Sequence, residues 1–547
     1  MHIVEKTARG HRYLYLAQSV REDGRVRQKL LQPLGRKDQL EASGQLERLL
    51  ESIGRHCERT VVLSQIATGE VCAQRIGGPL LFGRLWERLG IGEVLTGLLE
   101  GRGFGFDVER AVFVACLHRL FVSGSDRSCV DWMKSYAIDG VQDLALHHFY
   151  RAMAWLGEEI GGTAEGALAP RCVKDVIEEK LFDRRRDLFT DLSVAFMDTT
   201  SLSFYGKGGE TLGKRGFSKD SQPQLMQMIL AVVIDGQGRP VCTEMMPGNT
   251  ADVTTLLPIV DRLRSRFGIT RACLVCDRGM ISAATIAALE ARGLEYILGV
   301  RERTSSAVRK IVMGLDKAAM VPLVLERSHG ETQIWVKEVR IGKGKGAQRF
   351  IVSYNEAEAR KTRADRQQII DSLQKNLRKG DKALLGNGAF KRYLRKANTG
   401  AAFEIDAGKL AEEACFDGIS VVTTNADITA LQAVIRYRDL LQVESLFYKA
   451  KATFDTRPIY HQTDAAIRGH VFCTFLSLVL AKELTRLCDA HGFQPEWQPL
   501  LNDLDRLQQV TIEKDGKAIT TRTHVAGQVG RAFQAAGIAL PAGTRSS

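Results

Sequence analysis

The sequence predicts a mixed α/β fold, and three observations carry that prediction. In the middle of the chain, short apolar runs of strand length stand between helical periodicities, in the order β-β-β-α-β-α-β. A stretch of alternating, charged segments then interrupts this rhythm before one more apolar strand and a long helix return. The 547 residues are 44% hydrophobic and 26% charged, which excludes wholesale disorder and leaves ample chain for a core. At roughly 150 residues per domain, this length suggests several domains.

The first 60 residues read as a basic hairpin plus helix. Residues 12–17 and 26–31 alternate around the turn signal Glu22-Asp23-Gly24, and Arg9, Arg12, Arg21, Arg25 and Arg27 stud the pair. A helix over about 39–53 follows, with Leu40, Leu46, Leu49 and Leu50 apolar. Clustered arginines make this module a candidate grip on DNA phosphates. Residues 61–185 read as a helical domain. Leu80, Leu81, Leu85 and Leu89 share one face, 108–122 is an apolar helix and 147–156 another. The adjacent pair His147-His148 points to two helix faces, which favours a cap or surface feature over a metal pair.

Residues 186–300 hold the β-β-β-α-β-α-β order. The apolar run 194–197 ends in Asp198, and β-type residues continue to Tyr205. Strands follow at 225–234, closed by Asp235-Gly236-Gln237-Gly238, and at 240–246. A helix spans 252–267, and the next strand, 272–276, ends in Asp277. A helix over 282–291 with Ser282 as its cap and a strand at 296–300 complete the series. Residues 301–416 form a β-rich insertion with antiparallel strands at 321–326, 333–341 and 349–354 and a charged helix over 356–378. The core returns over 417–490, with a strand at 419–424 and one long helix over 428–451. The C-terminal segment, 491–547, carries a hairpin at 511–522 around Asp515-Gly516.

Charge and cysteine usage narrow the class. Lys plus Arg is 76 against 64 for Asp plus Glu, a net charge of +12, which favours a polyanionic partner such as nucleic acid. The first residues lack an apolar signal region, and no apolar stretch reaches the ~20 residues of a membrane span, so a soluble cytoplasmic protein is expected. Eleven scattered cysteines argue against a disulfide framework. Cys273-Leu274-Val275-Cys276 lacks the second pair a zinc site wants and reads as a buried strand.

Three carboxylates stand out. Asp198 and Asp277 end the first and fourth strands of the series, which a ribonuclease-H-like sheet places side by side; Glu444 sits in the late helix. Clustered carboxylates repel unless a divalent cation neutralises them, and hard oxygen ligands suit Mg²⁺ or Mn²⁺. Two such ions would clamp the attacking and leaving oxygens of a phosphodiester. On a continuous helix, Tyr437, Glu444 and Lys451 recur every seven residues and fall along one face. That stack suits a metal-binding acid flanked by phosphate-contacting groups.

These residues resemble the DDE transposases of bacterial insertion sequences, and within them the group with the signature Y-x2-R-x3-E-x6-K. Tyr437, Glu444 and Lys451 match three of its four positions; Leu440 stands at the arginine position, with Arg436 and Arg438 nearby at other helix angles. Met197-Asp198-Thr199-Thr200, Cys276-Asp277-Arg278-Gly279-Met280 and Pro247-Gly248-Asn249-Thr250-Ala251-Asp252 are also similar to that family. The resemblance implies a ribonuclease-H-like catalytic domain with a β-rich insertion before the glutamate. It implies that Asp198, Asp277 and Glu444 are catalytic and hold the metal, as two Mg²⁺ or Mn²⁺ ions. Its partners would be double-stranded DNA, at element ends and target, and a second copy of the chain in the DNA complex, in a bacterial nucleoid-associated setting. Two readings compete: a catalytically decayed repressor, which would need no acids, and a stand-alone metal-dependent nuclease, which would need no end-recognition module.

Gly208-Gly209-Glu210-Thr211-Leu212-Gly213-Lys214 has phosphate-loop spacing, but Arg215 replaces the Ser or Thr that binds Mg²⁺ and no helix start follows. It reads as a basic loop beside Asp198, with Lys214 and Arg215 as candidate DNA contacts. Gly342-Lys343-Gly344-Lys345-Gly346 reads as a turn between strands. Trp335, the only tryptophan between Asp277 and Glu444, lies on a strand with Lys337 on its own face and Ile334 and Val336 on the other. It is the candidate for stacking a flipped base; the competing reading is a core anchor.

Overall fold

The computed structural model describes residues 1–22, 25–54, 70–122, 124–161, 168–185, 194–220, 222–269, 272–303, 305–327, 330–342, 347–377, 388–396, 403–453, 459–514 and 517–546. The chain forms two units. The first comprises Met1–Ala73, Gln509–Thr523 and Pro541–Ser547. Strands β1 (His2–Ala8), β2 (His11–Glu22) and β3 (Arg25–Arg36) form an antiparallel sheet. The β1–β2 turn is Arg9-Gly10, with φ of 50° and 79°, the left-handed pair that a two-residue hairpin demands. The expected turn at Asp23-Gly24 lies outside the described residues. The single helix expected over 39–53 is two, Lys37–Ala42 and Gln45–Gly54, because Gly44 turns left-handed between them. Strand β4 (Glu70–Arg75) borders Gln508–Lys514, which pairs in turn with Lys517–Arg522, and the latter with Thr544–Ser546. The C-terminal hairpin is thus present; its tip at 515–516 lies outside the described residues.

The second unit comprises Gln74–Gln508 and His524–Leu540. Its centre is a nine-stranded mixed sheet. In chain order the strands are β5 (Val194–Ser203), β6 (Gln227–Asp235), β7 (Pro240–Pro247), β8 (Cys273–Cys276), β9 (Glu295–Gly299), β10 (Val321–Arg327), β11 (Gly330–Ile341) and β12 (Gln348–Tyr354). A separate hairpin of β13 (Leu394–Lys396) and β14 (Phe403–Ile405) precedes the last, β15 (Ile419–Thr424). The order across the sheet is β10-β11-β12-β15-β9-β8-β5-β6-β7. β5, β8 and β9 are parallel; the other pairs are antiparallel. The insertion strands therefore extend the central sheet through the β12–β15 pair.

Strand alternation gives this sheet two buried faces. Phe196, Leu230, Val232, Val275, Ile297, Ile334 and Val336 join the core built with the helical segments. Ala195, Met197, Ala231, Val233, Leu274 and Cys276 join a second core under helices Asp252–Phe267 and Ala283–Ala291. Cys273 and Cys276 are both buried, as a structural pair of small hydrophobes requires. Ser282 caps its helix by accepting from Thr285 N–H.

The helical segment packs against the long helix Asp464–Ala490, buried along most of its length. Close approach explains two glycines: a Cβ on Gly469 would stand 1.9 Å from Met153 O, and one on Gly157 would stand 2.0 Å from Ala465 O. His148 is a cap, its Nδ1 accepting from Ala145 N–H at 3.0 Å while its ring stacks on Phe106.

Candidate active site

The two aspartates meet because of strand register. β5 and β8 run parallel with Met197 opposite Cys276, so the next residues, Asp198 and Asp277, emerge side by side. Phe196 and Val275 lie two residues earlier on the face toward the helical core, and alternation puts both acids on that face. Helix Leu441–Tyr448 packs on the same face through buried Val443, Leu446 and Phe447, and this leaves Glu444 exposed to the acids. Asp198, Asp277 and Glu444 line one cleft of about 670 Å³ with Lys219, Arg278, Tyr437 and Phe447.

The electrostatics of the cleft follow from this crowding. Burial pushes the Asp198 carboxyl up to about 6; Lys219 and the Thr199 N–H oppose the rise, and the charges of Asp277 and Glu444 add to it. Tyr437 Oη donates to Asp277 Oδ1 at 3.4 Å, and burial followed by the Asp277 charge raises its hydroxyl well above the ordinary tyrosine range. Tyr437 is therefore a fixed donor. Its hydroxyl occupies the space a side chain at residue 299 would need, since a Cβ on Gly299 would stand 2.0 Å from Tyr437 Oη.

The expected single helix over 428–451 is broken. Helix Ala430–Asp439 ends at Leu440, helix Leu441–Tyr448 begins there, and a π-turn occupies Lys449–Thr453. The single continuous helix is thereby corrected, and a break and a π-turn each alter the phase on which the seven-residue spacing was counted. Tyr437 and Glu444 nonetheless share the cleft. Leu440 is buried at the break, and Arg438 lines an adjoining cleft with Tyr437 and Glu444, so an arginine two residues earlier borders the acids. Lys451 Nζ donates to Asp220 at 2.9 and 3.2 Å.

Lys214 and Arg215 are exposed on the loop after β5. Lys214 bridges Gln227 through its backbone, and Asp464 Oδ1 accepts from Glu210 N–H at 2.9 Å, which ties the glycine-rich stretch to a helix start. No helix follows that stretch among the described residues, as its reading as a plain loop requires. Trp335 is half-buried against a third core that includes Phe350, Val352 and Phe416, with its ring 5.7 Å from that of Tyr354; Ile334 and Val336 are buried on the opposite face. Lys343 and Lys345 lie outside the described residues.

Lys219 and Asp252 also stand in the site, with roles that only the fold makes visible. Lys219 Nζ donates to Thr199 O and Thr199 Oγ1, both at 2.6 Å, and lies 3.2 Å from Asp252 Oδ2 and 3.9 Å from Asp198 Oδ1. Thr199 Oγ1 donates to Asp252 Oδ1 at 2.7 Å. Asp252 ends the Pro247–Asp252 motif, which signalled it; Lys219, in a loop of no distinctive pattern, had no signal.

The charges of Asp277 and Glu444 add to the proton affinity of Asp198, and carboxylate oxygens sharing a cleft are the hard donors that suit a divalent cation. Residues 190–480, more than half of the chain, match the family described as Transposase DDE domain, and the protein belongs to the DDE transposases of insertion sequences. Residues 1–68 match the IS1634 family transposase, N-terminal domain. No curated protein matches the chain. No helix among the described residues is long and apolar enough to cross a membrane.

Proposed function

We propose that the protein binds the ends of its element and catalyses metal-dependent DNA strand cleavage and strand transfer, with Asp198, Asp277 and Glu444 as one metal-holding unit. The observation that carries this reading is the convergence of the three acids on one cleft, with Asp198 pushed up to about 6 in part by the other two. The order β7-β6-β5-β8-β9, three antiparallel strands followed by two parallel ones, supports a ribonuclease-H-like core. Mg²⁺ or Mn²⁺, as two ions, would supply charge neutralisation for in-line displacement at phosphorus.

The chain's own groups have separable tasks. Asp198 and Asp277 offer carboxylate oxygens from fixed strand ends, and Glu444 offers its own from the opposing helix. Tyr437 orients Asp277 by hydrogen bond. Lys219 holds Thr199 and Asp252 beside Asp198, so the first aspartate keeps its place without DNA. Lys451 contacts the DNA backbone near the scissile phosphate, with Lys214 and Arg215 as further DNA contacts and Trp335 as the candidate for stacking an unpaired base.

Asp277→Asn tests the reading. It removes a ligand charge while keeping shape, so cleavage of end DNA in Mg²⁺ or Mn²⁺ is expected to vanish while gel-shift affinity stays near wild type. Cleavage near the wild-type rate would contradict the assignment.

A further inference from the structure

Helix Leu441–Tyr448 has a second side. Gln442, Ser445, Leu446 and Lys449 recur at three- and four-residue steps and share one face, whereas Glu444, two residues from both Gln442 and Leu446, projects from the other. With Lys482 of helix Asp464–Ala490 and Gly238 of the β6–β7 turn, that face lines a pocket of about 270 Å³. Buried Leu446 and Leu478 give it an apolar wall. Gly238 keeps it open: its φ is 72°, and a Cβ there would stand 2.1 Å from Gln442 Oε1 and 3.0 Å from Lys482 Nζ.

Two cations share this pocket without an anion. Among the described residues, neither Lys449 nor Lys482 makes a side-chain hydrogen bond or an ion pair. Asp235, whose charge acts on Lys482, is engaged in its own turn: its Oδ1 accepts from the N–H groups of Gln237 and Arg239, both at 2.9 Å, and its Oδ2 from Arg239 Nε at 2.7 Å. Partial burial, and then the charge of Lys482, lowers the proton affinity of Lys449. Burial lowers that of Lys482 as well, with Asp235 and Asp489 opposing the fall and Arg239 adding to it. Two ammonium groups and the hydroxyl of Ser445 offer the charge and the donors that a phosphate takes, and the apolar wall suits the sugar a phosphodiester carries. We propose that this pocket is a phosphate site, filled by a phosphodiester of the DNA backbone or by free phosphate, with Lys449 and Lys482 as its counter-charges. The DNA source rests on the reading of the protein as an end-binding transposase; the site itself does not. A strand held there lies against the side of the helix turned away from the acids.

The test starts with inorganic phosphate, titrated into the full-length protein near neutral pH at constant ionic strength and without divalent metal. Calorimetry should show binding by the wild type, weakened at least about fivefold in Lys449→Gln and in Lys482→Gln and lost in the double variant, while Lys482→Arg, which keeps the charge, retains it. Phosphate should raise the unfolding temperature of the wild type and not of the double variant. Without phosphate, each single variant should unfold at the wild-type temperature or above it, since one of two like charges is gone; a lower temperature in both would make the lysines structural and overturn the proposal. End-DNA affinity across a salt series then separates the sources. Weaker binding by the double variant, with the slope of log affinity against log salt shallower by about one, assigns the site to the DNA backbone. Unchanged DNA binding beside lost phosphate binding assigns it to free phosphate. If neither inorganic phosphate nor end DNA distinguishes the wild type from the double variant, the site is wrong. If the wild type itself does not bind end DNA, the transposase reading falls while the phosphate titration still decides the site.

Discussion

Gly299→Ala is a one-methyl test of how the site is assembled. The new Cβ would stand 2.0 Å from Tyr437 Oη, 2.8 Å from its Cζ and 3.2 Å from its Cε2. All three distances are short of van der Waals contact, so the ring must move away. Tyr437 comes from helix Ala430–Asp439, whose Ala433 and Val434 are buried, so the helix resists and the ring leaves Asp277. Overpacking of this kind costs about 1–3 kcal/mol, and the lost hydrogen bond adds about 1 kcal/mol. The cost should appear as a lower unfolding temperature and slower cleavage of end DNA. Tyr437→Phe removes the atom at 2.0 Å and leaves the carbon at 2.8 Å, so in the Gly299→Ala background it should recover part of the loss in stability. The four proteins form a double-mutant cycle, read by thermal unfolding and by cleavage of labelled end DNA. Wild-type stability and cleavage in Gly299→Ala would refute the claim that Tyr437 needs this glycine.

Other outcomes follow from the same geometry. The Asp198 carboxyl, at about 6 against an ordinary 3.8, binds a proton in the folded, metal-free protein between those values. Its contribution to stability is fully present below the ordinary value and is lost as pH rises through about 6. A cation must displace that proton, so Mn²⁺ affinity should fall about tenfold per pH unit below about 6 and level off above it, as calorimetry at several pH values would show. Arg262 is buried and donates to Asp175 at 2.7 Å, Glu178 at 2.6 Å, Glu244 at 2.7 Å and Thr243 O at 2.8 Å. Arg262→Met leaves those acids short of a cation and should cost about 3–5 kcal/mol in denaturant unfolding; a loss under about 1 kcal/mol would mean that Lys174 compensates. For Trp335, a 2-aminopurine at the element end should fluoresce differently on binding wild type and Trp335→Ala if the ring stacks a base; equal signals would make it a core residue alone.

What the sequence made legible is what local pattern controls. Asp198 and Asp277 could be paired because each ends an apolar strand and the strand order brings those ends together. The two-sided burial of β11 followed from alternation, with Ile334 and Val336 on one face and Trp335 on the other. The break at Leu440 was not legible: residues 428–451 carry helical periodicity throughout, and the interruption falls where Leu440 is buried in the core. Strand β1 was missed because its residues, mostly exposed, lack an apolar face, and its existence depends on pairing with β2. Lys219 and Asp220 were invisible for a related reason. Their partners lie 18 or more residues away in sequence, on elements that only the folded sheet brings near.

Three acids from two strands and one helix are proposed to act as a single metal-holding unit. Calorimetric titration of Mn²⁺ into wild type, Asp198→Asn, Asp277→Asn and Glu444→Gln, at a pH above 7 and without DNA, tests this most directly. Binding by the wild type and a loss of at least about tenfold in affinity in every single variant is the predicted result. Wild-type Mn²⁺ binding in any one of the three would show that the acids do not work as one site.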